Sequence, residues 1–317
     1  MIRASVEDFS SELVEIPCPL CGNTSHNLRH SVRDRLNIPL CSKTGRPQDL
    51  TYSIVACSSC GLLYLNPRPK LSELARFYDS EDYDPHTGSG SGWMGRLFHL
   101  ARAFTLQWKY AATTSGMVTG SALDVGCGTG EFLQHITQKG WQVLGIEQDA
   151  EAAHIADSKG VEVLAGDPTD LLPVDKQFDL VTMWHSLEHL PRLNQAIRNI
   201  ADTVKPGGRL CIAVPNPLSY DAIRYGERWA AWDAPRHLYH FRPEDVKTLV
   251  ESQELKLLSI KAMPLDAFYH SLLSVTCWAD HKGGIGNLAD SFLTGLISFV
   301  IGMNPRRSSG VLYLFSK

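Results

Sequence analysis

Short apolar runs alternate with helical patterns from Ser121 to the C-terminal residue. The runs have strand length, and the segments between them place apolar residues at helical spacing. Such alternation predicts parallel strands joined by crossover helices, the doubly wound α/β fold. The predicted strands are Ala122–Val125, Val143–Ile146, Val161–Leu164, Leu180–Trp184 and Leu210–Val214, the predicted helices are Glu131–Gln138, Ala150–Lys159 and Leu193–Val204, and two closing strands are Leu255–Ala262 and Val311–Ser316.

The chain upstream of this alternation differs in composition. Residues 1–70 lack helical periodicity and contain five of the eight cysteines, so we expect a separate small module there. Residues 71–120 carry two helical patterns and are expected to form a connector or lid. Residues 121–317 then form the α/β domain, with insertions at about 215–242 and 263–309.

The apolar stretch at residues 287–303 has helical spacing, with one apolar face and one polar face. Leu288, Phe292, Leu296, Phe299 and Met303 share one face, whereas Asp290, Thr294 and Ser298 lie on another. We expect a helix that packs on the sheet or forms a lid, with contact to a lipid-linked substrate as an alternative. The stretch is shorter than the roughly 20 apolar residues of a membrane-spanning helix.

Composition and charge narrow the class of protein. Hydrophobic residues make up 44% and charged residues 20% of the 317 positions, which is typical of a globular protein. The net charge of −4 provides no basic field for nucleic acid or anionic lipid. The first 17 residues contain no apolar run, so we expect no signal peptide, a cytoplasmic location and reduced cysteines.

Two CxxCG motifs predict a metal site in the N-terminal module. Cys18 and Cys21 form the first pair, Cys57 and Cys60 the second, and a glycine follows each pair. Such turns direct both thiolates at one ion, so the sequence predicts a closed, structural Cys₄ zinc site. The alternatives are core cysteines or a redox pair. Residues 1–70 contain eight Lys or Arg and six Asp or Glu, so their net charge is +2. This is a small positive charge for a module that binds nucleic acid.

A glycine-rich loop follows the first predicted strand of the α/β domain. The sequence reads Leu-Asp-Val-Gly-Cys-Gly-Thr-Gly-Glu over 123–131, and a helix is predicted to begin at Glu131. Glycines here let a ligand approach backbone amides at a helix N-terminus. The sequence does not match the dinucleotide-binding motif, because Glu131 occupies the position of the third glycine. It does not match a triphosphate-binding P-loop either, because no GK[ST] follows.

This loop resembles motif I of class I S-adenosylmethionine-dependent methyltransferases. The acidic residue ending the next strand, Gly-Asp after the third strand and Lys-Pro-Gly-Gly before the fifth also match that family in order. The resemblance implies a Rossmann-like seven-stranded sheet that binds S-adenosylmethionine. Carried over by position, the implied cofactor-binding residues are Asp124, Gly126, Gly128, Gly130, Glu147, Gln148, Asp167 and His185.

Methyl transfer needs an aligned acceptor and often a base, and histidines supply the candidates. His185 and His189 follow the fourth strand, where open α/β sheets place ligands. His237 and His240 lie in the insertion at about 215–242 after the fifth strand. We call it the aromatic insertion because it contains Trp229, Trp232 and Tyr239. Glu188 and His189 can instead serve the start of the next helix. Small-RNA and quinone-precursor methyltransferases bind a divalent ion through E-x-x-E-H here, but His185 replaces the first Glu, so whether an ion joins stays open.

The N-terminal cysteine motifs and the aromatic insertion together resemble bacterial methyltransferases of polysaccharide, sugar and natural-product pathways. The resemblance implies methyl transfer to oxygen or carbon of a small-molecule or sugar-containing acceptor. Two alternatives stay open: an RNA methyltransferase with a zinc-ribbon substrate module, and a non-catalytic cofactor-binding regulator. The acidic total charge and the lack of an amine-methylation motif after the fourth strand disfavour RNA.

Overall fold

The computed structural model describes residues 13–34, 51–74, 77–78, 93–172, 175–276 and 285–317. The strands of the N-terminal part are β1 (Leu13–Val14), β2 (His26–Arg33), β3 (Thr51–Cys57), β4 (Leu63–Leu65) and β5 (Arg68–Pro69). The later strands are β6 (Ser121–Val125), β7 (Gln142–Glu147), β8 (Val163–Ala165), β9 (Phe178–Trp184), β10 (Val204–Pro215), β11 (Tyr239–His240), β12 (Lys256–Ala262) and β13 (Gly310–Ser316).

Ten α-helical segments lie within the described residues. They are α1 (Leu71–Leu74), α2 (Trp93–Thr114), α3 (Glu131–Thr137), α4 (Ala150–Ser158), α5 (Pro168–Leu171), α6 (Leu193–Asp202), α7 (Tyr220–Tyr225), α8 (Pro243–Glu251), α9 (Asp266–Thr276) and α10 (Ile285–Ile301).

Seven strands form the larger sheet, in the order β12-β13-β10-β9-β6-β7-β8. The five strands β10, β9, β6, β7 and β8 are parallel to one another. β13 runs antiparallel to both β10 and β12. All seven predicted strands and the Rossmann-like doubly wound class are confirmed. Within this sheet the chain enters at the central strand β6, continues outward through β7 to β8, and then crosses back to β9 on the other side of β6. The carboxyl ends of β6 and β9 therefore border a topological switch point, where such sheets bind ligands.

Helices on the faces of the sheet explain why its inner strand β13 is apolar along nearly its whole length. β13 is buried from Gly310 to Phe315, and its interior residues are Val-Leu-Tyr-Leu-Phe. A strand covered on both faces has no solvated side, so its sequence does not alternate. The helix α6 shows the matching pattern, because it buries Leu193, Ala196, Ile197 and Ile200 on one face.

A second sheet joins the N-terminal module to the aromatic insertion. Its order is β11-β4-β3-β2, and Tyr239 and His240 of β11 pair antiparallel with Tyr64 and Leu63 of β4. The insertion after β10 thus supplies the edge strand of the N-terminal sheet. The two regions share a hydrophobic core, which includes Ile54, Leu65 and Phe241.

A buried guanidinium strengthens this junction. The Arg236 side chain is fully buried and pairs with Asp233 at 2.8 Å and with Asp34 of the N-terminal module at 2.9 Å. It also donates to the Phe77 carbonyl at 3.3 Å. Buried ions are tolerated only when they are paired and hydrogen-bonded, and Arg236 meets both conditions.

The helix α10 corrects one sequence expectation. The helix was expected to pack on the sheet or to form a lid, and packing of its apolar face on the sheet is wrong because Leu288, Phe292 and Leu296 are between 41% and 64% exposed. Thr294 and Ser298 are buried instead. The Ser298 hydroxyl donates to buried Asp221 at 2.5 Å, and this hydrogen bond turns the polar side of the helix inward. Within the described residues, no helix combines the length and apolar character that crossing a membrane requires.

We predict that Arg236→Leu lowers the free energy of unfolding by about 3–5 kcal/mol, because it leaves two buried carboxylates without their cation. Urea denaturation followed by circular dichroism measures the change. The control is Arg192→Ala, which removes the exposed ion pair between Arg192 and Asp170 and should lower the free energy of unfolding by about 0–1 kcal/mol. Equal effects of the two substitutions would contradict the role assigned to Arg236.

Candidate active site

The glycine loop after β6 adopts a backbone that only glycine accepts easily. Gly126, Gly128 and Gly130 have φ values of 78°, 54° and 72°. A Cβ on Gly126 would lie 2.6 Å from the Cβ of Ser186, so a side chain has no room there. Gly126 and Cys127 donate their amides to the Ile146 carbonyl, which fixes the loop against the end of β7. The loop therefore presents the N-terminus of α3 at the carboxyl edge of the sheet.

Two carboxylates flank this loop. Asp124 is 1% exposed, and its Oδ1 accepts a hydrogen bond from the Thr182 hydroxyl at 2.6 Å. Burial raises the pKa of Asp124 to about 7, and the hydrogen bond from Thr182 only partly offsets this. Glu147 ends β7, where its carboxylate accepts from the Gly128 amide at 2.7 Å and the Asp149 amide at 2.9 Å.

Gln148 and Asp167, two more residues implied to bind the cofactor, follow the carboxyl ends of β7 and β8. Gln148 is exposed directly after β7. Asp167 follows β8 and caps α5, where its carboxylate accepts from the Thr169 amide at 2.7 Å. The neighbouring Gly166 amide donates to the Glu147 carbonyl at 2.8 Å, so the ends of β7 and β8 are tied together.

His185 follows β9 and lies between two carboxylates. It has a positive φ of 54°, uncommon for a residue with a side chain. Its Nε2 is 3.2 Å from Asp266 Oδ2 and its Nδ1 is 3.7 Å from Glu188 Oε1. Burial lowers the pKa of His185, but Asp266 and Glu188 outweigh it and raise the pKa to about 9. His185 is therefore an imidazolium at neutral pH.

Glu188 and two histidines form a compact cluster beside His185. Glu188 is 1% exposed, and neither carboxylate oxygen has a hydrogen-bond partner among the residues that the structure describes. The ligand atoms of Glu188, His189 and His237 lie within 4.8 Å of one another. A carboxylate and two imidazoles at this spacing can bind a divalent ion or the hydroxyl groups of an acceptor.

Backbone carbonyls orient both rings of this cluster. His237 Nδ1 lies 2.8 Å from the Ala231 carbonyl, and His189 Nδ1 lies 3.2 Å from the Arg236 carbonyl. Since a carbonyl only accepts, the hydrogen bond of His237 requires the proton on Nδ1 and leaves its Nε2 with a lone pair. Burial, followed by the effect of His189, lowers the pKa of His237 to about 4. His237 is thus a neutral imidazole.

His240 lies apart from the other three predicted histidines. Its ring contacts Trp232 at 4.8 Å between centroids and is 6.3 Å from the ring of His237. Its backbone pairs with Leu63 of the N-terminal sheet. Burial lowers its pKa well below the ordinary histidine value. The structure therefore brings His185, His189 and His237 together, whereas His240 contacts the cluster through His237.

Sequence reasoning missed two side chains of this site. Asp266 begins α9 and reaches His185 across the sheet edge. Tyr78 follows the N-terminal module, and its hydroxyl is 2.9 Å from His189 Nδ1. No local motif marks either residue, because each reaches the site from a distant part of the chain. Only the tertiary fold reveals them.

The four cysteines of the CxxCG motifs converge. Cys18 Sγ is 3.6 Å from Cys60 Sγ, Cys21 Sγ is 3.5 Å from Cys57 Sγ, and all four sulfur atoms lie within 4.8 Å of one another. A tetrahedral ion with Zn–S bonds of about 2.3 Å requires sulfur atoms about 3.8 Å apart. The two glycines that follow the pairs, Gly22 and Gly61, have φ values of 76° and 78°. The arrangement fits a closed four-thiolate site.

The fold, the glycine loop and the acidic strand ends together define an S-adenosylmethionine-dependent methyltransferase. A family model described as a methyltransferase domain matches residues 95–260, slightly more than half of the chain. The chain belongs to this methyltransferase family.

The chain is also similar to named methyltransferases and to solved structures. The chain is 28% identical over 173 residues to a protein of Xanthomonas oryzae pv. oryzae named ubiquinone biosynthesis O-methyltransferase, covering 49% of this chain and 70% of that protein. A Bordetella avium protein of the same name is 29% identical over 179 residues, covering 52% and 73%. Geranyl diphosphate C-methyltransferase of Streptomyces coelicolor A3(2) superposes with a TM-score of 0.49 at 16% identity, covering 74% and 86%.

We predict that the stability effect of His185→Gln depends on pH. The folded-state pKa of His185 lies above the ordinary value of 6.5, so its ion pairs stabilise the fold fully below pH 6.5 and are lost as the pH rises through about 9. The substitution should cost about 2 kcal/mol more at pH 6 than at pH 9.5 in urea denaturation. The control, His154→Gln on the exposed side of α4, should show no such difference. A pH-independent cost would contradict the ion-pair assignment.

Proposed function

We propose that this enzyme transfers a methyl group to an oxygen or carbon atom of a small-molecule acceptor, with sugar-containing metabolites among the candidates. The observation that carries the proposal is the cluster of His185, Glu188, His189 and His237 at the switch point. It lies at the carboxyl end of β9, the strand next to the one that leads into the glycine loop. A transfer site needs this proximity between cofactor loop and acceptor groups.

The residues of the loop fit S-adenosylmethionine. The proposal assigns Asp124 and the amides from Gly126 to Gly130 to the methionyl group, Glu147 to the ribose hydroxyls, and Gln148 and Asp167 to the adenine. The close approach of Gly126 to Ser186 and the buried carboxylate of Asp124 support this donor set. When bound, S-adenosylmethionine supplies a methyl group already activated on its sulfonium.

The protein then has to orient the acceptor and accept a proton. We assign proton acceptance to His237, because its ring is neutral and its Nε2 is not used by the backbone. His189 lies beside His237 and is the second candidate, and His240 supports the ring of His237. The imidazolium of His185 holds the buried Glu188 carboxylate in place and binds to an electron-rich acceptor group.

Charge and relatives support a small acceptor. The net charge is −4, which does not favour the phosphate backbone of RNA. The curated relatives carry the name of a ubiquinone biosynthesis O-methyltransferase, which supports an oxygen atom as the acceptor. In this proposal the buried side chains of Trp229 and Trp232 in the aromatic insertion form one side of the pocket around the histidine cluster.

We further propose that Cys18, Cys21, Cys57 and Cys60 bind one structural zinc ion. The ion would stabilise the N-terminal module, which contributes Asp34 and β4 to the junction with the insertion. Its role is in folding, because all four coordination positions are filled by protein thiolates.

The transfer experiment uses S-adenosylmethionine with a tritiated methyl group, purified protein and cell extract. We predict label in the small-molecule fraction after separation from protein and RNA. His237→Gln should lower the transfer rate by about 10²–10⁴-fold while S-adenosylhomocysteine affinity is retained, because only the proton acceptor is lost. The control is His154→Gln, which should retain full activity.

Label in an RNase-sensitive fraction would overturn the small-molecule assignment in favour of an RNA methyltransferase. Cofactor binding without label in any fraction, with extracts that contain the candidate metabolites, would favour a non-catalytic regulator. Full activity of His237→Gln would remove His237 from the mechanism.

We predict one zinc ion per chain by inductively coupled plasma mass spectrometry. The double variant Cys18→Ser, Cys57→Ser should lose the metal and unfold at a lower temperature, because two serines cannot replace two thiolates. The control is Ser59→Ala, at an exposed position between the second pair. Metal-free protein with unchanged stability would contradict the structural role.

A further inference from the structure

The helix α10 is inverted relative to an ordinary surface helix. Apart from Asp290, whose side chain is 43% exposed, the exposed residues from Leu288 to Ile301 are apolar. The buried side contains Ser291, Thr294 and Ser298, each no more than 4% exposed. A surface helix normally turns its apolar stripe to the core and its polar face to water. The exposed set is Leu288, Ala289, Phe292, Leu293, Leu296, Phe299, Val300 and Ile301.

The inverted orientation is fixed by specific contacts. Ser298 donates to Asp221, which is buried and also accepts from Trp229 and Ser309. At Gly295 an added Cβ would lie 2.9 Å from the Phe268 ring, so α9 and α10 approach closely only because this position is a glycine. Rotating the helix would break the hydrogen bond from Ser298 and leave Asp221 partly unsatisfied. The apolar face therefore stays outward.

Neighbouring residues extend the apolar face. Tyr269 and Leu272 of α9 are 53% and 42% exposed, and Met303 beyond the end of α10 is 75% exposed. We call these three residues and the exposed set of α10 the outer face. A continuous apolar surface on two adjacent helices is typical of an interaction site rather than of scattered surface residues.

The charges beside the outer face favour an anionic partner. Asp290 is the one carboxylate in residues 285–307, and it pairs with Arg224 at 3.4 Å. Arg306 and Arg307 follow the helix directly. Arg306 pairs with Glu244, whereas Arg307 is exposed and makes no ion pair within the described ranges. The two ion pairs cancel, so Arg307 leaves these residues with one net positive charge, although the whole chain has a net charge of −4.

We propose that the outer face docks on the surface of an anionic lipid bilayer. The apolar side chains enter the boundary between headgroups and acyl chains, and the arginines at the end of α10 contact lipid phosphates. The helix lies in the interface and does not cross the bilayer, in keeping with its apolar length. This inference goes beyond methyl transfer and does not depend on the identity of the acceptor.

Vesicle flotation tests the proposal with the full chain. The protein should float with vesicles of phosphatidylglycerol and phosphatidylcholine, and at least tenfold less should float with phosphatidylcholine alone or at high salt. The double variant Leu293→Glu, Leu296→Glu should lose flotation, and circular dichroism should show an intact fold because both positions are exposed. The matched control is Val118→Glu, at an apolar position 89% exposed outside the face.

A second pair of variants tests the charge. Arg307→Glu should weaken flotation, whereas Arg198→Glu on the exposed side of α6 should not. The proposal is overturned if the protein does not float with anionic vesicles, or if the double variant floats as well as the unsubstituted protein. It is also overturned if sedimentation equilibrium shows a dimer that the double variant dissociates, because the occupant would then be a second copy of the chain.

Discussion

The carboxyl edge of the sheet brings four carboxylates together, and two of them, Asp124 and Glu188, are only 1% exposed. Asp124, Glu147 and Glu188 reach this edge from three strands, and Asp266 joins them from α9. Uncompensated buried carboxylates are costly, and the raised pKa of Asp124 reports that cost. On our account the imidazolium of His185 supplies the counter-charge for Glu188 and Asp266. The ammonium group of Lys109 acts on Asp124, and the ammonium group of the cofactor adds to it when bound.

The proposed acceptor side depends on a part of the chain outside the methyltransferase sheet. β11 pairs with β4, and Arg236 links Asp34 to Asp233. The insertion that carries His237 is therefore positioned by the N-terminal module. A four-cysteine site in that module can influence transfer without contacting the acceptor, because it stabilises the sheet that β11 completes.

Much of the fold could be predicted from the sequence, but less of the site. Apolar runs covered by helices predicted all seven strands, and the glycine loop with Glu147 followed from residues close together in sequence. Asp266 and Tyr78 could not be predicted, because their contacts depend on tertiary packing. The helical period also revealed the apolar face of α10 but not its direction, which is decided by the buried hydrogen bond between Ser298 and Asp221. Periodicity alone assumes that an apolar face is buried.

The most direct test of this account is a calorimetric titration with S-adenosylhomocysteine in buffers of different ionisation enthalpy. Because Asp124 has a pKa of about 7 in the free protein, a ligand ammonium beside it should lower that pKa and release protons near pH 7. The account predicts one ligand per chain with proton release, and at least about tenfold weaker binding without that release in Asp124→Asn. Equal affinity and equal proton release in both proteins would contradict it.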